Sequence, residues 1–450
     1  MMKPYPRYKD SGIEWLGEIP EHWDLLRLKH FTSIISKGTT PSTIDKAIMD
    51  EGEIKFIKAE NIKDNALSDF PRNFIDSETD QLLQRSRLFE NDILFVIAGA
   101  TIGKVAVLTN EFVPANTNQA VCFIRLEDKE ESIFTWFWLQ SPKVQELIWI
   151  DAVQAAQPNL SMEDLGNIYC PSPLSNEKNE IANFLDHKTH LIDTLIQKKK
   201  RLIDLLKEER TAVINEAVIK GLDPDVPMKD SGIEWLGEIP EHWEICAFKY
   251  ILVVKDGTHD TPKPVPFSDN VYPLITSKNL KNGFIDFKET TFISEEEHKK
   301  IILRSNVSYG DIIMPMIGTI GNPVIVNTKR EFSIKNVALF KSNPNVSMNY
   351  ITYLFNSIII STQFDLNQSG GVQNFVSLTI LNNLIVPKIK LHEQQEIADY
   401  LDRETNRIDT LLTKTTKEIE LLQEYRTALI SEVVTGKIDV RDWKKPEIAC

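Results

Sequence analysis

The sequence predicts an α+β fold: two mixed, strand-rich domains joined by two long antiparallel, coiled-coil-like helices, the whole a pseudo-two-fold tandem repeat. Two repeats and one change of periodicity predict it. Residues 9–23 read KDSGIEWLGEIPEHW, and residues 229–243 repeat the same fifteen letters. An internal copy of that length marks a duplicated architecture. Further along, EIANFLD (180–186) answers EIADYLD (396–402), and LIDTLI (191–196) answers RIDTLL (407–412). ERTAVINEAV (209–218) then answers YRTALISEVV (425–434). Between box and second block, the pattern changes from short β-branched runs to a helical seam.

Each half therefore runs box, variable segment, long helix. The segments 24–172 and 244–388 have diverged, yet a skeleton aligns. IKFIKAENIK (54–63) matches YPLITSKNLK (272–281), NDILFV (91–96) matches GDIIMP (310–315), and NQAVCFI (118–124) is set against KNVALFK (335–341). Such runs broken by Gly, Asn and Pro read as strands and turns. Segments 132–149 and 348–364 read as helical. In 177–218, Ile181, Leu185, Ile192, Leu195, Ile203, Leu206 and Val213 form one seam. Ile397, Leu401, Ile408, Leu411, Ile419, Leu422 and Leu429 repeat it. Prolines 171, 173 and 387 precede these runs and Gly221 and Gly436 follow them, as helix starts and stops require. A narrow stripe on so long a helix needs a partner of the same kind, and the other copy supplies it. The predicted parts are 1–172, box and domain; 173–221, long helix; 222–388, box and domain; 389–450, long helix and tail. The helices are expected antiparallel, with the domains at opposite ends and two equivalent surfaces for partners.

Composition narrows the function. In 450 residues, 42% hydrophobic and 26% charged is ordinary globular usage and excludes wholesale disorder. No apolar run approaches the ~20 residues that span a bilayer, and the N-terminus MMKPYPRYKD has no secretory character. Four scattered cysteines without a CxxC pair argue against a disulfide framework or zinc site and suit a cytoplasmic location. The net charge of −14 does not describe a simple electrostatic nucleic-acid binder. Even so, two diverged domains on a rigid spacer suit two separated sites on a linear polymer, and duplex DNA repeats every ~34 Å.

The residues that carry this pattern resemble one family throughout the chain. GIEWLGEIPEHW, the GTTP (38–41) and GTHDTP (257–262) turns, the NDIL and GDII strands, and the EIANFLD and RIDTLL helices are similar to the specificity (S) subunit of type I restriction–modification enzymes. The resemblance implies two target-recognition domains, each reading one half of a split sequence in double-stranded DNA. It implies two modification subunits that bind S-adenosylmethionine and methylate adenine, and restriction subunits that use ATP and Mg. It implies no catalytic centre and no cofactor on this chain.

The residues agree with that negative. There is no [DN]-P-P-[YF] run. GATIGKV (99–105) has one spacer residue too few for a phosphate loop, and Val105 stands where Ser or Thr must hold magnesium. Its counterpart GTIGNP (318–323) lacks the Lys. Asp45, Asp50 and Glu53 could be forced into a nuclease site, but Val271, Tyr272 and Pro273 align with residues 53–55. His187 and His190 have zinc-like spacing, but Arg403 and Asn406 match them and no third ligand stands nearby. Lys198 to Arg201 reads as a solvated helix face, with phosphate contact as the alternative.

Base discrimination requires Arg, Lys, Asn, Gln, Ser or Thr at base edges. The candidates are Lys37, Thr39, Thr40 and Ser42 after the first box, and Thr258, His259, Thr261 and Lys263 after the second. Lys58, Asn61 and Lys63, aligned with Thr276, Asn279 and Lys281, come next, then the polar stretches 154–159 and 368–374. In the boxes, Trp15, Trp23, Trp235 and Trp243 are either core staples or docking anchors for the modification subunit, since Trp is enriched at interface hot spots. Two other functions remain on the sequence alone: an autonomous DNA methyltransferase or nuclease, and a scaffold that does not bind DNA.

Overall fold

The computed structural model describes residues 3–152, 159–281, 283–318, 320–367 and 375–446. The polar stretches 154–159 and 368–374 therefore lie outside the described residues, except for Asn159. The chain divides into two compact units, Met1–Lys200 with Lys417–Cys450, and Arg201–Thr416.

In the first unit an antiparallel sheet has the spatial order Val105–Val107, Ile93–Val96, Val121–Leu126, Thr32–Lys37. Side chains alternate across it with the period of two that a strand imposes. Ile93, Phe95, Cys122 and Ile124 join one core, which includes the long helices, while Leu94, Val96, Val121 and Phe123 join another. Burial on both faces explains why the two central strands are apolar throughout 93–96 and 121–124 rather than at alternate positions. Beside it lies a mixed sheet in which Ile54–Ile57 runs parallel to Ala115–Thr117.

The second unit repeats this plan. Val254–Asp256, Val337–Phe340, Ile312–Pro315 and Val324–Ile325 form one sheet, and Val271–Ile275 runs parallel to Ser333–Ile334 in another. Ile312, Met314, Ala338 and Phe340 face one core, and Ile313, Val337 and Leu339 the other.

The two ladders correct one alignment. Lys37 pairs with Cys122 and its counterpart Asp256 pairs with Ala338. Cys122 is thus equivalent to Ala338, not to Leu339 as the letters alone suggest. The turn before the strand spans 118–120 in the first copy but only 335–336 in the second, so the register slips by one residue there. The corrected register makes Arg125 equivalent to Lys341. Arg125 grips the buried Asp92 at 2.7 Å, and Lys341 grips the buried Asp311 at 2.5 Å. Each carboxylate also closes the turn before its strand, accepting from the backbone N–H of Phe89 or Ser308.

The segments expected as single helices are each broken in two. Ser132–Gln140 and Pro142–Ala152 are separated at Ser141, because Pro142 cannot donate into the first helix and is suited to open the next. Met348–Phe355 and Ile358–Asn367 part at Asn356 and Ser357, types whose side chains compete for backbone partners.

The long helices are Ser175–Lys220 and Leu391–Val434, each about 65–70 Å at 1.5 Å per residue. Gly221 and Gly436 end them at φ 76° and 71°, the left-handed conformation that stops a helix. Within each unit the two helices run antiparallel. In the first, Asp193 pairs with Arg426 at 2.9 Å and Lys199 with Glu418. In the second, Asp409 pairs with Arg210 at 3.1 Å and Glu209 with Arg407 at 2.6 Å. The seam differs from the apolar reading at one equivalent pair: Leu195 and Leu411 are 42% and 38% exposed. Ile196 and Thr189 are buried instead, as are Thr405 and Thr415. Thr189 and Thr405 enter the seam because each hydroxyl donates to the carbonyl four residues back, at 2.8 and 2.7 Å. A search for apolar letters alone cannot find a satisfied threonine.

Candidate nucleic-acid interface

The box holds each domain on its helix ends. Trp23 and Trp243 are fully buried, and Trp15 and Trp235 are half-buried. Trp23 lies over Gly436, where an added Cβ would meet Trp23 at 3.1 Å and Pro20 at 2.4 Å. Trp15 stacks on Trp138, with ring centroids 6.1 Å apart. In the second unit the Trp243 indole N–H donates to Glu393 at 2.8 Å, and His242 approaches the same carboxylate at 3.2 Å. In the first, the equivalent Glu177 receives the Tyr5 hydroxyl at 2.7 Å and His22 at 2.9 Å. The Trp23 indole nitrogen there has no hydrogen-bond partner among the described residues. Burial, then the bond to Glu177, raises the Tyr5 phenol well above its ordinary range.

The polar residues after each box gather at one edge of each domain. In the first unit Lys37 is exposed at the end of its strand, and the chain turns at Gly38, whose N–H donates to Asn118 O at 3.1 Å. The Thr39 N–H donates to Thr117 O at 3.1 Å, and the Thr40 hydroxyl to Gln119 Oε1. A Cβ at Gly38 would stand 1.8 Å from Thr117 O, so only glycine allows this approach. Ser42 is exposed in the short turn Pro41–Ile44. The Thr117 hydroxyl donates to Ile57 O at 2.7 Å, which brings Lys58 to the same edge.

The second unit closes the same way. The Gly257 N–H donates to Val337 O at 2.9 Å and the Thr258 N–H to Ile334 O at 3.0 Å. The Lys335 N–H donates to Ile275 O at 2.9 Å, which places Thr276 alongside. Lys335 Nζ donates to Thr261 Oγ1 at 2.5 Å. His259 lies between Asp256, at 2.9 Å from Nε2, and Asn336, at 3.0 Å from Nδ1. Asp256 is also held by Arg304. The Asp256 carboxylate raises the His259 pKa, with Asn336 adding to the effect and partial burial opposing it. Lys263 is exposed on the loop that follows.

The remaining candidates close turns. Asn61 is buried: its Oδ1 accepts from Lys58 N at 3.0 Å, and its amide donates to Ser68 O and Pro71 O. Asn279 repeats this, accepting from Thr276 and donating to Asp286 O and Glu289 O. Lys58 meets Glu60 at 3.2 Å, Lys63 donates to Phe70 O at 3.0 Å, and Lys281 meets Asp286 at 3.1 Å. Four further residues at these edges, Asn118, Gln119, Lys335 and Asn336, are not singled out by the sequence. Their signal was the unequal turn length, hidden because the letters align without a gap. Asn159, the described end of the first polar stretch, bridges Ala98, and Phe375, the residue after the second, bridges Ile317.

Among the described residues, no group of three His, Cys, Asp or Glu side chains could hold a metal. Instead, His187 lies 5.4 Å from the Trp443 ring. No described helix is long and apolar enough to cross a membrane.

Duplicated domains with unlike polar edges on a repeated frame define a paired recognition protein. Residues 20–205 and 240–421 each match the type I restriction modification DNA specificity domain, and the chain belongs to that family. Among similar proteins, the MjaVIII specificity subunit of Methanocaldococcus jannaschii is 23% identical, with 97% of this chain and 98% of that one covered. The EcoBI specificity subunit of Escherichia coli is 27% identical over 74% of this chain and 71% of that one. A chain from a solved structure concerning complex assembly and conformational transition of the type I R-M system superposes with TM-score 0.73 at 13% identity, covering 93% of this chain and 99% of that one. The HsdS subunit of Thermoanaerobacter tengcongensis gives TM-score 0.54 at 13% identity, covering 93% and 98%. These two share its fold.

Proposed function

We propose that the chain is the specificity subunit of a type I restriction–modification complex, with each domain reading one half of a bipartite target in double-stranded DNA. The observation that carries this reading is the contrast inside each unit. The box, helices and buried Asp–cation pairs recur position by position, while the edge residues change from Lys37, Thr40 and Gln119 to Asp256, His259 and Lys335. A frame kept constant around altered polar side chains is what two different half-sites require, because base edges are discriminated by donor and acceptor pattern.

The chain works as a recognition part and not as the catalyst. Two modification subunits bind S-adenosylmethionine and methylate adenine, and restriction subunits use ATP and Mg; the specificity chain keeps no cofactor. All act in the cytoplasm. The half-buried Trp15 and Trp235 give the two boxes their exposed aromatic surface for modification subunits. With a net charge of −14, the isolated chain has an unfavourable long-range field near DNA. Its own affinity is weak, and the complex binds by closing around the duplex. Exchanging residues 24–172 for the matching segment of a relative, then mapping methylated sites in host DNA, tests the reading. One half of the recognised sequence should change; a change in both halves overturns separate readout. Titrating labelled target at ~0.15 M salt, with and without the modification subunits, tests the charge argument. Equal affinities would refute it.

A further inference from the structure

The turn that joins the two sheets of each domain differs between the copies in length and in chemistry, and it is locked to the loop after the box. In the first unit it is Asn118-Gln119-Ala120. Asn118 spends its Oδ1 on the Ala120 N–H at 3.1 Å, closing the turn. Gln119 is exposed, and its Oε1 is held by the Thr40 hydroxyl. Its amide nitrogen has no hydrogen-bond partner among the described residues and is free to donate. In the second unit the turn is Lys335-Asn336, with Asn336 at φ 54°. Lys335 Nζ is oriented by Thr261, and Asn336 Oδ1 by His259.

Both turns are rigidly seated. The Cβ positions that Gly38 and Gly257 lack would lie 1.8 Å from Thr117 O and 2.3 Å from Ile334 O, so the backbones touch with no space between them. Asn336 N donates back to Thr258 O at 3.2 Å, and Ile97 N and Met316 N donate to Ala120 O and Asn336 O. A side chain that discriminates bases has to be held in place by its surroundings, and these two are.

Resting on the proposed bipartite reading of DNA, we propose that these turns are specificity determinants, with Gln119 reading an adenine edge and Lys335 a guanine edge. An amide offers one donor and one acceptor, the complement of adenine N7 and N6–H; an ammonium offers donors only, the complement of guanine N7 and O6. The Thr40 hydroxyl occupies one lone pair of Gln119 Oε1 and leaves the other for adenine N6–H. Thr261 accepts one proton of Lys335 and leaves two for guanine.

The test is methylation mapping in a host carrying the complete complex with Gln119→Ala, Lys335→Ala or neither. Gln119→Ala should relax one adenine position in one half-site by on the order of 5- to 150-fold, leaving the other half intact; Lys335→Ala should relax one guanine position in the other half. Lys335→Gln serves as the second variant: it puts an amide on a slightly shorter chain in place of the ammonium and should shift preference at that position from guanine towards adenine. An unaltered motif in the substituted complexes, or loss at both halves from one substitution, overturns the inference. If the unsubstituted complex itself shows no bipartite motif, the underlying reading of function fails instead.

Discussion

The two box-and-helix junctions start from identical letters and end with different bonds. In the second unit, Trp243 and His242 share Glu393. In the first, Tyr5 and His22 take Glu177, and the Trp23 indole is left with packing alone. The box is the same, so the difference comes from outside it: the first unit has Tyr5 upstream, seated under Arg441, whose guanidinium is 4.9 Å from its ring. Identical local sequence thus secures the same burial but not the same hydrogen bonds. The opposite case is the Asp92–Arg125 and Asp311–Lys341 pairs. There the letters diverge and even slip in register, while the bond persists.

The largest expected effect belongs to those pairs. Asp92→Ala and Asp311→Ala each strip a buried carboxylate from its cation and from the turn it closes. Each should destabilise its own domain by about 3–5 kcal/mol, measured by denaturant unfolding of the purified chain. If only one copy responded, the pairs would not be equivalent parts of the frame. A smaller effect separates the two boxes. Trp243→Phe loses a hydrogen bond to a carboxylate as well as packing; Trp23→Phe loses packing alone. The Trp243 variant should be the less stable by about 1.5–3 kcal/mol, and Tyr5→Phe should show a loss of similar size in the first unit. Equal losses for the two tryptophans would sink the competition for Glu177.

The smallest effect is at His259, whose first-copy counterpart is Thr40. Its pKa is raised by the Asp256 carboxylate, so the protonated ring is favoured in the fold. That contribution is complete below the ordinary imidazole pKa of ~6.5 and is lost as pH rises through the raised value. The stability of the second unit should therefore fall modestly on going from mildly acidic to alkaline pH, and His259→Asn should abolish that fall. Denaturant unfolding of the purified chain against pH would read this out, and identical profiles for the two proteins would refute it.

Much of the frame was legible in the letters. The exact repeat gave the duplication, the apolar seams gave the two long helices, and Gly221 and Gly436 gave the helix stops. The candidate edge was legible only in part. Gly38-Thr39-Thr40 and Gly257-Thr258-His259 were found because glycine beside polar residues marks a turn, but Asn61 and Asn279 looked equally suitable and are buried turn-closers. Gln119 and Lys335 read in the sequence as the start of a strand.

The sequence by itself determined the duplication, the order of its strand-rich and helical parts and most of their buried faces, because periodicity is a local property of consecutive residues. Only the tertiary structure decided which polar side chains stay free. That depends on partners far away in the chain: Ile57 O for Thr117, Ile334 O for Thr258, Glu177 for Tyr5. The same holds for the slipped register after Thr117, where a one-residue difference in turn length is fixed by ladder hydrogen bonds to another strand. It holds again for Ile196 in place of Leu195, where the helix is equally regular either way and the facing helix makes the choice.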